Sequence, residues 1–348
     1  MGRVRVVGSP QGHRLVGAGP VVEAGNRFLE HLVARGFSLA TVRAYAFDLA
    51  NFAGFLADRS LDLAAVTPTD LFDYLEWQSR PAASGERVVS IRRRGPAPST
   101  MNRRISAVRG LFEHLVMRGV RSENPVPAAR RTSGLRGQRS GLLGHVAVRQ
   151  RSGGRLVREP QRLPESLPPA DVRAFLADLD THRDRAVVLA MVLGGLRSAE
   201  VRSLRLADVD MGLRRVRVVG KGNKERVVPI DDAFFSECAA YLHSERPANC
   251  RTAECFVVLR GPTLGRAMTE AGLRKVFRTH RDRSGMTRVR PHRLRHTYGT
   301  ELAAAGIDLL ALRELMGHAS PETTARYVHL SSGTLAAEFA AARAAARK

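Results

Sequence analysis

Apolar residues recur at helical spacing through most of the chain and at strand spacing only in short stretches. From Val21 onward, Phe28, Leu29, Leu32 and Val33 form one stripe, stopped by Gly36. Ser38 stands where a helix N-cap belongs, ahead of a second stripe of Val42, Tyr45, Leu49, Phe52 and Phe55. Thr67-Pro68 opens a third helix with Leu71, Tyr74, Leu75 and Trp77 facing in. Thr100 begins a fourth with Ile105, Val108, Leu111, Phe112 and Leu115, closed by Gly119. Residues 21–125 therefore predict a bundle of four or five helices. Residues 1–20 are rich in Gly and Arg and show no period, which predicts a flexible arm.

The pattern breaks over 126–165, which holds nine arginines, two acids, several glycines and prolines near both ends, the composition of a basic linker. Leu142-Leu143 with Val146 and Val148 are a candidate short element inside it. A second domain, 166–348, starts with Pro168-Pro169 ahead of Val172, Phe175, Leu176 and Leu179. Residues 183–193 are apolar on most faces, so that helix belongs at the centre of a core. Residues 214–219 and 225–230 read as strands around Gly220-Lys221-Gly222-Asn223-Lys224, a hairpin with glycine-rich turn chemistry. Helices are expected near 231–244, 269–281, 292–305, 309–316, 321–329 and 333–346. The second domain is thus mainly helical with a small antiparallel sheet.

Charge narrows the function. The 348 residues carry 56 Lys and Arg against 33 Asp and Glu, a formal net charge of +23, and such an excess repels itself unless a polyanion is near. Arg far outnumbers Lys, and the planar guanidinium bonds two phosphate oxygens at once. An anionic membrane is the other possible partner, but no stretch nears the ~18 apolar residues a spanning helix needs. No signal peptide is apparent at the start. Cys238, Cys250 and Cys255 imply no disulfide framework, and the Cys250/Cys255 spacing does not match a zinc pair. A reducing cytoplasm fits.

Side chains with chemical potential cluster near the C-terminal end. His292 and Arg295, three apart, share one helix face; Gly317 stops the next helix and leaves His318 in a tight connection; Ser320-Pro321 starts a further helix carrying Tyr327. Upstream, Arg197 follows Gly194-Gly195 at the exit of the central helix, and Lys221 sits at the hairpin tip. Each has an ordinary structural use: a Tyr in a helix is usually core or surface, and a His near a turn is usually a cap. Their assembly on short, tightly connected elements is what raises the catalytic reading. The Gly220-Lys221-Gly222 run lacks the spacing of a phosphate-binding nucleotide loop and has no Ser or Thr after the lysine, so no nucleotide is expected. The loop 78–99 carries Ile91-Arg92-Arg93-Arg94, either a solvated excursion or a phosphate contact.

The sequence resembles the tyrosine recombinase (phage-type integrase) family, including Xer-like site-specific recombinases. The matching blocks are Gly195-Leu196-Arg197-Ser198-Ala199-Glu200, Gly220 to Arg226, Pro291-His292-Arg293-Leu294-Arg295-His296-Thr297, Leu315-Met316-Gly317-His318 and Ala325-Arg326-Tyr327. The resemblance covers 168–330 closely and the N-terminal helices loosely; the 78–99 loop and the 126–165 linker are longer than in compact members. It implies a mainly α fold: a SAM-like, core-binding helical bundle at 21–125 and a catalytic domain at 166–348, together forming a clamp around DNA. It also implies the site. Tyr327 is the nucleophile, giving a 3′-phosphotyrosyl link and a free 5′-hydroxyl; Arg197, Arg295 and His318 are donors to the phosphate; His292 is the general base and Lys221 the general acid. The built-in cations make a metal unnecessary, and exchanging one ester for another makes ATP unnecessary. No cofactor is therefore expected, and the expected partners are double-stranded DNA with specific target sites and further copies of the chain in a tetramer. Glu200 either orients Arg197 or forms a surface ion pair, His296 is expected to be structural, and 335–348 is expected to pack on a neighbouring protomer. The long linker favours a mobile-element enzyme. The competing readings are a type IB topoisomerase, a helical DNA-binding regulator without catalysis, and a metal-dependent nuclease.

Overall fold

The computed structural model describes residues 4–9, 12–79, 95–127, 156–158, 166–220 and 224–317, and the chain divides into two compact units, 1–161 and 162–348. Each is built around its own apolar core.

The N-terminal unit is a helical bundle, α1 (Pro20–Ala34), α2 (Leu39–Asp58), α3 (Pro68–Ser79) and α4 (Pro98–Met117). The expected cap is in place, with the Ser38 hydroxyl accepting from the Thr41 N–H at 3.2 Å. Phe52 is the hub of the core, with Phe55, Tyr74 and Phe112 rings at 6.2, 5.1 and 6.1 Å. The buried Tyr74 keeps its hydroxyl satisfied by donating to Asn51 Oδ1 at 2.8 Å.

The expected flexible arm is instead a folded element in part. Arg5–Ser9 (β1) and Gly12–Val16 (β2) pair antiparallel, with Arg5 opposite Val16 and Val7 opposite Arg14. Val4, Val6 and Leu15 turn inward onto the helical core, while Arg5, Val7, Arg14 and Val16 face solvent. Asn26 of α1 holds Leu15 at both backbone groups, accepting its N–H at 2.7 Å and donating to its carbonyl at 3.0 Å. Leu15 is 1% exposed. Leu15→Ala is expected to destabilise the N-terminal unit by about 2–5 kcal/mol, read as a lowered urea midpoint. An unchanged midpoint would mean that the hairpin is not part of this core.

Two ends of the expected linker also belong to the N-terminal unit. Val126 is buried and Leu156 packs on the same core, while the Asn102 amide donates to the Val157 carbonyl at 2.8 Å and accepts its N–H at 3.0 Å. The element expected around Leu142-Leu143 and the arginines at 92–94 lie outside the described residues.

In the second unit, α5 (Pro169–Ala177) and α6 (His182–Val192) appear as expected, and every residue from Ala186 to Val192 is buried. Two short pieces were not foreseen: the one-and-a-half-turn helix α7 (Ser198–Ser203) and the two-residue strand β3 (Val209–Asp210). The sheet runs β3-β4-β5 with β4 (Arg215–Val219) and β5 (Glu225–Pro229), all antiparallel. Val216 pairs with Val228 and Val218 with Arg226, so Arg226 lies on the inward face. Helices α8 (Asp232–Ser244), α9 (Glu270–Ser284), α10 (Pro291–Ala304) and α11 (Leu309–Met316) follow. Asp308 caps α11 by accepting the N–H groups of Leu310 and Ala311 at 2.8 and 3.0 Å. Among the described residues no helix is long and apolar enough to cross a membrane.

Candidate active site

Three separated blocks of sequence meet at the C-terminal end of α11. A helix leaves its last carbonyls without intrahelical donors, and that end carries negative partial charge. Here arginines supply the donors. Arg226 Nε donates to the Leu315 carbonyl at 2.8 Å, Arg295 donates to the Met316 carbonyl, and Arg197 Nη2 donates to the Gly317 carbonyl at 2.9 Å. Three successive carbonyls are thus held by guanidinium groups from β5, α10 and the residue before α7.

The same three cations surround one acid. Glu200 is 4% exposed; its Oε1 accepts from Arg197 Nη1 at 2.8 Å and Arg226 Nη1 at 2.9 Å, and its Oε2 from Arg226 Nη2 at 2.8 Å. Oε2 also takes the backbone N–H of Arg197 at 2.8 Å, the acidic half of a capping box that starts α7. Arg295 Nη1 stands 3.9 Å from Oε2. Burial alone would raise this carboxyl, but the hydrogen bonds and charge of Arg226 and Arg197 outweigh it and hold it down at about 2. Of the two readings of Glu200, the surface ion pair is therefore excluded, and the acid orients Arg197.

Two glycines make room for the cluster. Gly195, at φ +62°, places its carbonyl to accept from Arg295, and a Cβ there would collide with the Tyr298 ring. Gly317, at φ +59°, ends α11 in the left-handed conformation, and a Cβ there would stand 2.9 Å from Arg226 Nη1. At the root of the hairpin, the Gly220 N–H donates to the Lys224 carbonyl at 2.8 Å, and a Cβ on Gly220 would lie 3.7 Å from Glu200 Oε1.

His292 shares the α10 face with Arg295 at the expected spacing. Burial first, then the positive charges of Arg295 and Arg197, push its imidazole below the usual 6.5, which keeps it neutral and able to accept a proton. Its Nε2 is 3.0 Å from Nε2 of His296, an approach that requires one ring to donate and the other to accept. His296 thus touches the candidate base, a role the sequence did not suggest. Arg226 was also missed as a site residue, although the period of two along β5 sets it inward with Val228 and Ile230, an unusual place for an arginine. Of the six expected site residues, Arg197, His292 and Arg295 are brought together; Lys221, His318 and Tyr327 lie outside the described residues, as do the helices expected at 321–329 and 333–346.

Comparison with known proteins agrees over both units. The phage integrase family matches residues 165–333, and the phage integrase N-terminal SAM-like domain matches 26–119. The chain is 30% identical over 320 residues to tyrosine recombinase XerC of Pelobacter propionicus, covering 90% of this chain and 92% of that one. It is 32% identical over 318 residues to tyrosine recombinase XerC of Mycobacterium bovis, covering 90% and 95%. Among solved structures, the XerH site-specific recombinase bound to a palindromic difH substrate aligns with a TM-score of 0.61 at 22% identity, covering 87% of this chain and 80% of that one. The Tn1549 transposon integrase in complex with transposon right-end DNA aligns with a TM-score of 0.64 at 17% identity, covering 92% and 99%. These two likenesses bear on the fold, which is mainly helical with small antiparallel sheets, as the sequence implied. By sequence and by architecture the chain belongs to the phage integrase family of tyrosine recombinases.

Proposed function

We propose that this chain is a site-specific DNA recombinase that cleaves and rejoins duplex DNA through a 3′-phosphotyrosyl intermediate at Tyr327. The observation that carries the reading is the meeting of Arg197 and Arg295 on the carbonyls of Met316 and Gly317, beside neutral His292. Phosphoryl transfer makes little demand on covalent chemistry; it needs the charge spread over the nonbridging oxygens to be met by fixed donors. Arg197 and Arg295, held by Glu200 and by backbone carbonyls, are such donors, and His318 follows Gly317 directly in the chain to add a third. His292 accepts the proton of the Tyr327 phenol, whose free pKa of about 10 keeps it protonated otherwise. Lys221 then protonates the departing 5′-oxygen. One ester replaces another, so the reverse step reseals the strand with the partner's 5′-hydroxyl and needs neither metal nor nucleotide. The excess of arginine supplies the sequence-independent attraction to the DNA backbone. Recombination needs two synapsed sites, so the working form is a tetramer, with 335–348 packing on a neighbouring protomer. Exchange at the ends of a mobile element is the reaction we assign to it.

The test is a pool of nicked suicide duplexes with randomised cores, incubated with the protein in EDTA and without nucleotide. A covalent adduct mapping to Tyr327 is expected; strand cleavage that needs added metal and leaves no adduct would favour the nuclease. The pH profile gives a second check. Since His292 is held below 6.5, its neutral form survives to lower pH than a free imidazole. At subsaturating DNA, which reports the free protein, the adduct rate should fall only below that value. An acid limb centred above it would remove His292 as the base.

A further inference from the structure

Arg226 lies outside the six residues to which the reaction assigns a role, yet its side chain makes three hydrogen bonds in the cluster. Its guanidinium spends Nη1 and Nη2 on the two oxygens of Glu200, at 2.9 and 2.8 Å, and Nε on the Leu315 carbonyl at 2.8 Å. The side chain is 9% exposed, so these are desolvated, bidentate contacts. It enters from β5, where its neighbours across and along the sheet, Val218 and Val228, are core residues. The space it fills against α11 exists because residue 317 has no side chain: a Cβ there would come within 2.9 Å of Nη1 and 3.2 Å of Cζ.

The electrostatics give this placement a purpose. Glu200 is a buried anion beside two cations that the proposed reaction needs for phosphate, Arg197 at 2.8 Å and Arg295 at 3.9 Å. An anion in that position competes with phosphate for both. With Arg226 in place, both carboxylate oxygens are already bridged by a cation that does not face the reaction, and the acid can orient Arg197 without neutralising the pair. The same guanidinium fixes the Leu315 carbonyl, one residue ahead of the carbonyls that Arg295 and Arg197 hold.

We infer that Arg226 is a positioning residue of the recombination site: it satisfies Glu200 and ties it to the end of α11, so that Arg197 and Arg295 keep their charge for the scissile phosphate. This rests on the recombinase reading above. Removing Arg226 leaves Glu200 to draw in Arg295 and to hold Arg197 more tightly, which slows chemistry at saturating DNA more than it weakens binding. Removing the acid as well takes away the competitor. The two losses are therefore antagonistic, and the readout that a purely structural role would not move is the maximal rate at saturating DNA, measured below the unfolding midpoint of each variant.

The experiment measures adduct formation on the nicked duplex pool with the full-length protein, its Arg226→Met, Arg226→Lys and Glu200→Gln variants, and the Arg226→Met/Glu200→Gln double variant. The unsubstituted protein's adduct, mapped to Tyr327, reports on the recombinase reading; the ratios among variants report on Arg226. Arg226→Met is expected to lower the maximal rate about 10–100-fold, the range for removing a group that orients a reacting side chain. The half-saturating DNA concentration is expected to change by less than about 3-fold, since one buried arginine leaves the phosphate contacts that set affinity intact. The double variant should be faster than Arg226→Met alone. Arg226→Lys keeps the charge and one hydrogen bond, retains the fold, and should recover part of the rate; it takes the place of Arg226→Met in the cycle if the methionine variant unfolds. A double variant as slow as the product of the single losses, or an Arg226→Met protein as fast as the parent, overturns the assignment.

Discussion

Tyr327→Phe is expected to abolish strand cleavage, by on the order of 10⁶-fold, the loss seen when an enzyme's nucleophile is removed. No covalent adduct should be recoverable from suicide duplexes after long incubation. Binding to the same duplex should stay within about 2-fold, and the slope of log affinity against log salt should be unchanged, because that slope counts phosphates neutralised by Lys and Arg. The combination is diagnostic. A protein of net charge +23 binds DNA whether or not it does chemistry, so binding by itself separates none of the candidate functions. Residual adduct in the phenylalanine protein would send the search to another nucleophile. A lost adduct with a lost salt slope would mean that the substitution damaged the fold rather than the reaction.

Arg295→Lys is the second large effect, and it is informative because it keeps the charge. Arg295 is 4% exposed and donates to the carbonyls of Gly195 and Met316, 121 residues apart, while standing 3.9 Å from Glu200. A lysine ammonium is a point donor on a flexible stem and cannot span both carbonyls. At least one is left buried without its donor, which costs about 1–3 kcal/mol. The thermal midpoint of the second unit should therefore fall by several degrees. Loss of one pre-set donor to the developing charge is worth about 10²–10³-fold in rate, so cleavage measured well below the new midpoint should drop by that factor. A lysine protein with normal cleavage would show that Arg295 holds the fold and does not touch the phosphate.

Much of this architecture is legible in the sequence, for reasons that also explain what was missed. The long helices show in the period of their apolar stripes, and Ser38 and Asp308 mark two of their starts. The hairpin 5–16 hides because its outward positions include Val7 and Val16, each 49% exposed, so polar and apolar residues do not alternate cleanly. Helix α7 is six residues long and β3 two, too short for any period to register. Spacing on one helix face put His292 with Arg295, and the structure agrees. Glu200 could not be resolved from spacing alone, because whether an acid near an arginine is a surface pair or a buried anchor depends on a third party, Arg226, 26 residues on. That contact is made by sheet pairing and α11 together, and no local pattern encodes it.

The shared grip on the end of α11 has a consequence for how such a protein can be remodelled. Arg197 with Glu200, Arg226 and Arg295 come from three separate segments, yet the three arginines gather on the same acid and the same helix terminus. None can be exchanged alone without stranding a partner, so homologue segments should be transplantable only as a block from Gly195 to Gly317. The division near residue 161 cuts none of these bonds. Chimeras joined there inherit an intact set of guanidinium contacts, so the N-terminal unit can be exchanged without disturbing the end of α11.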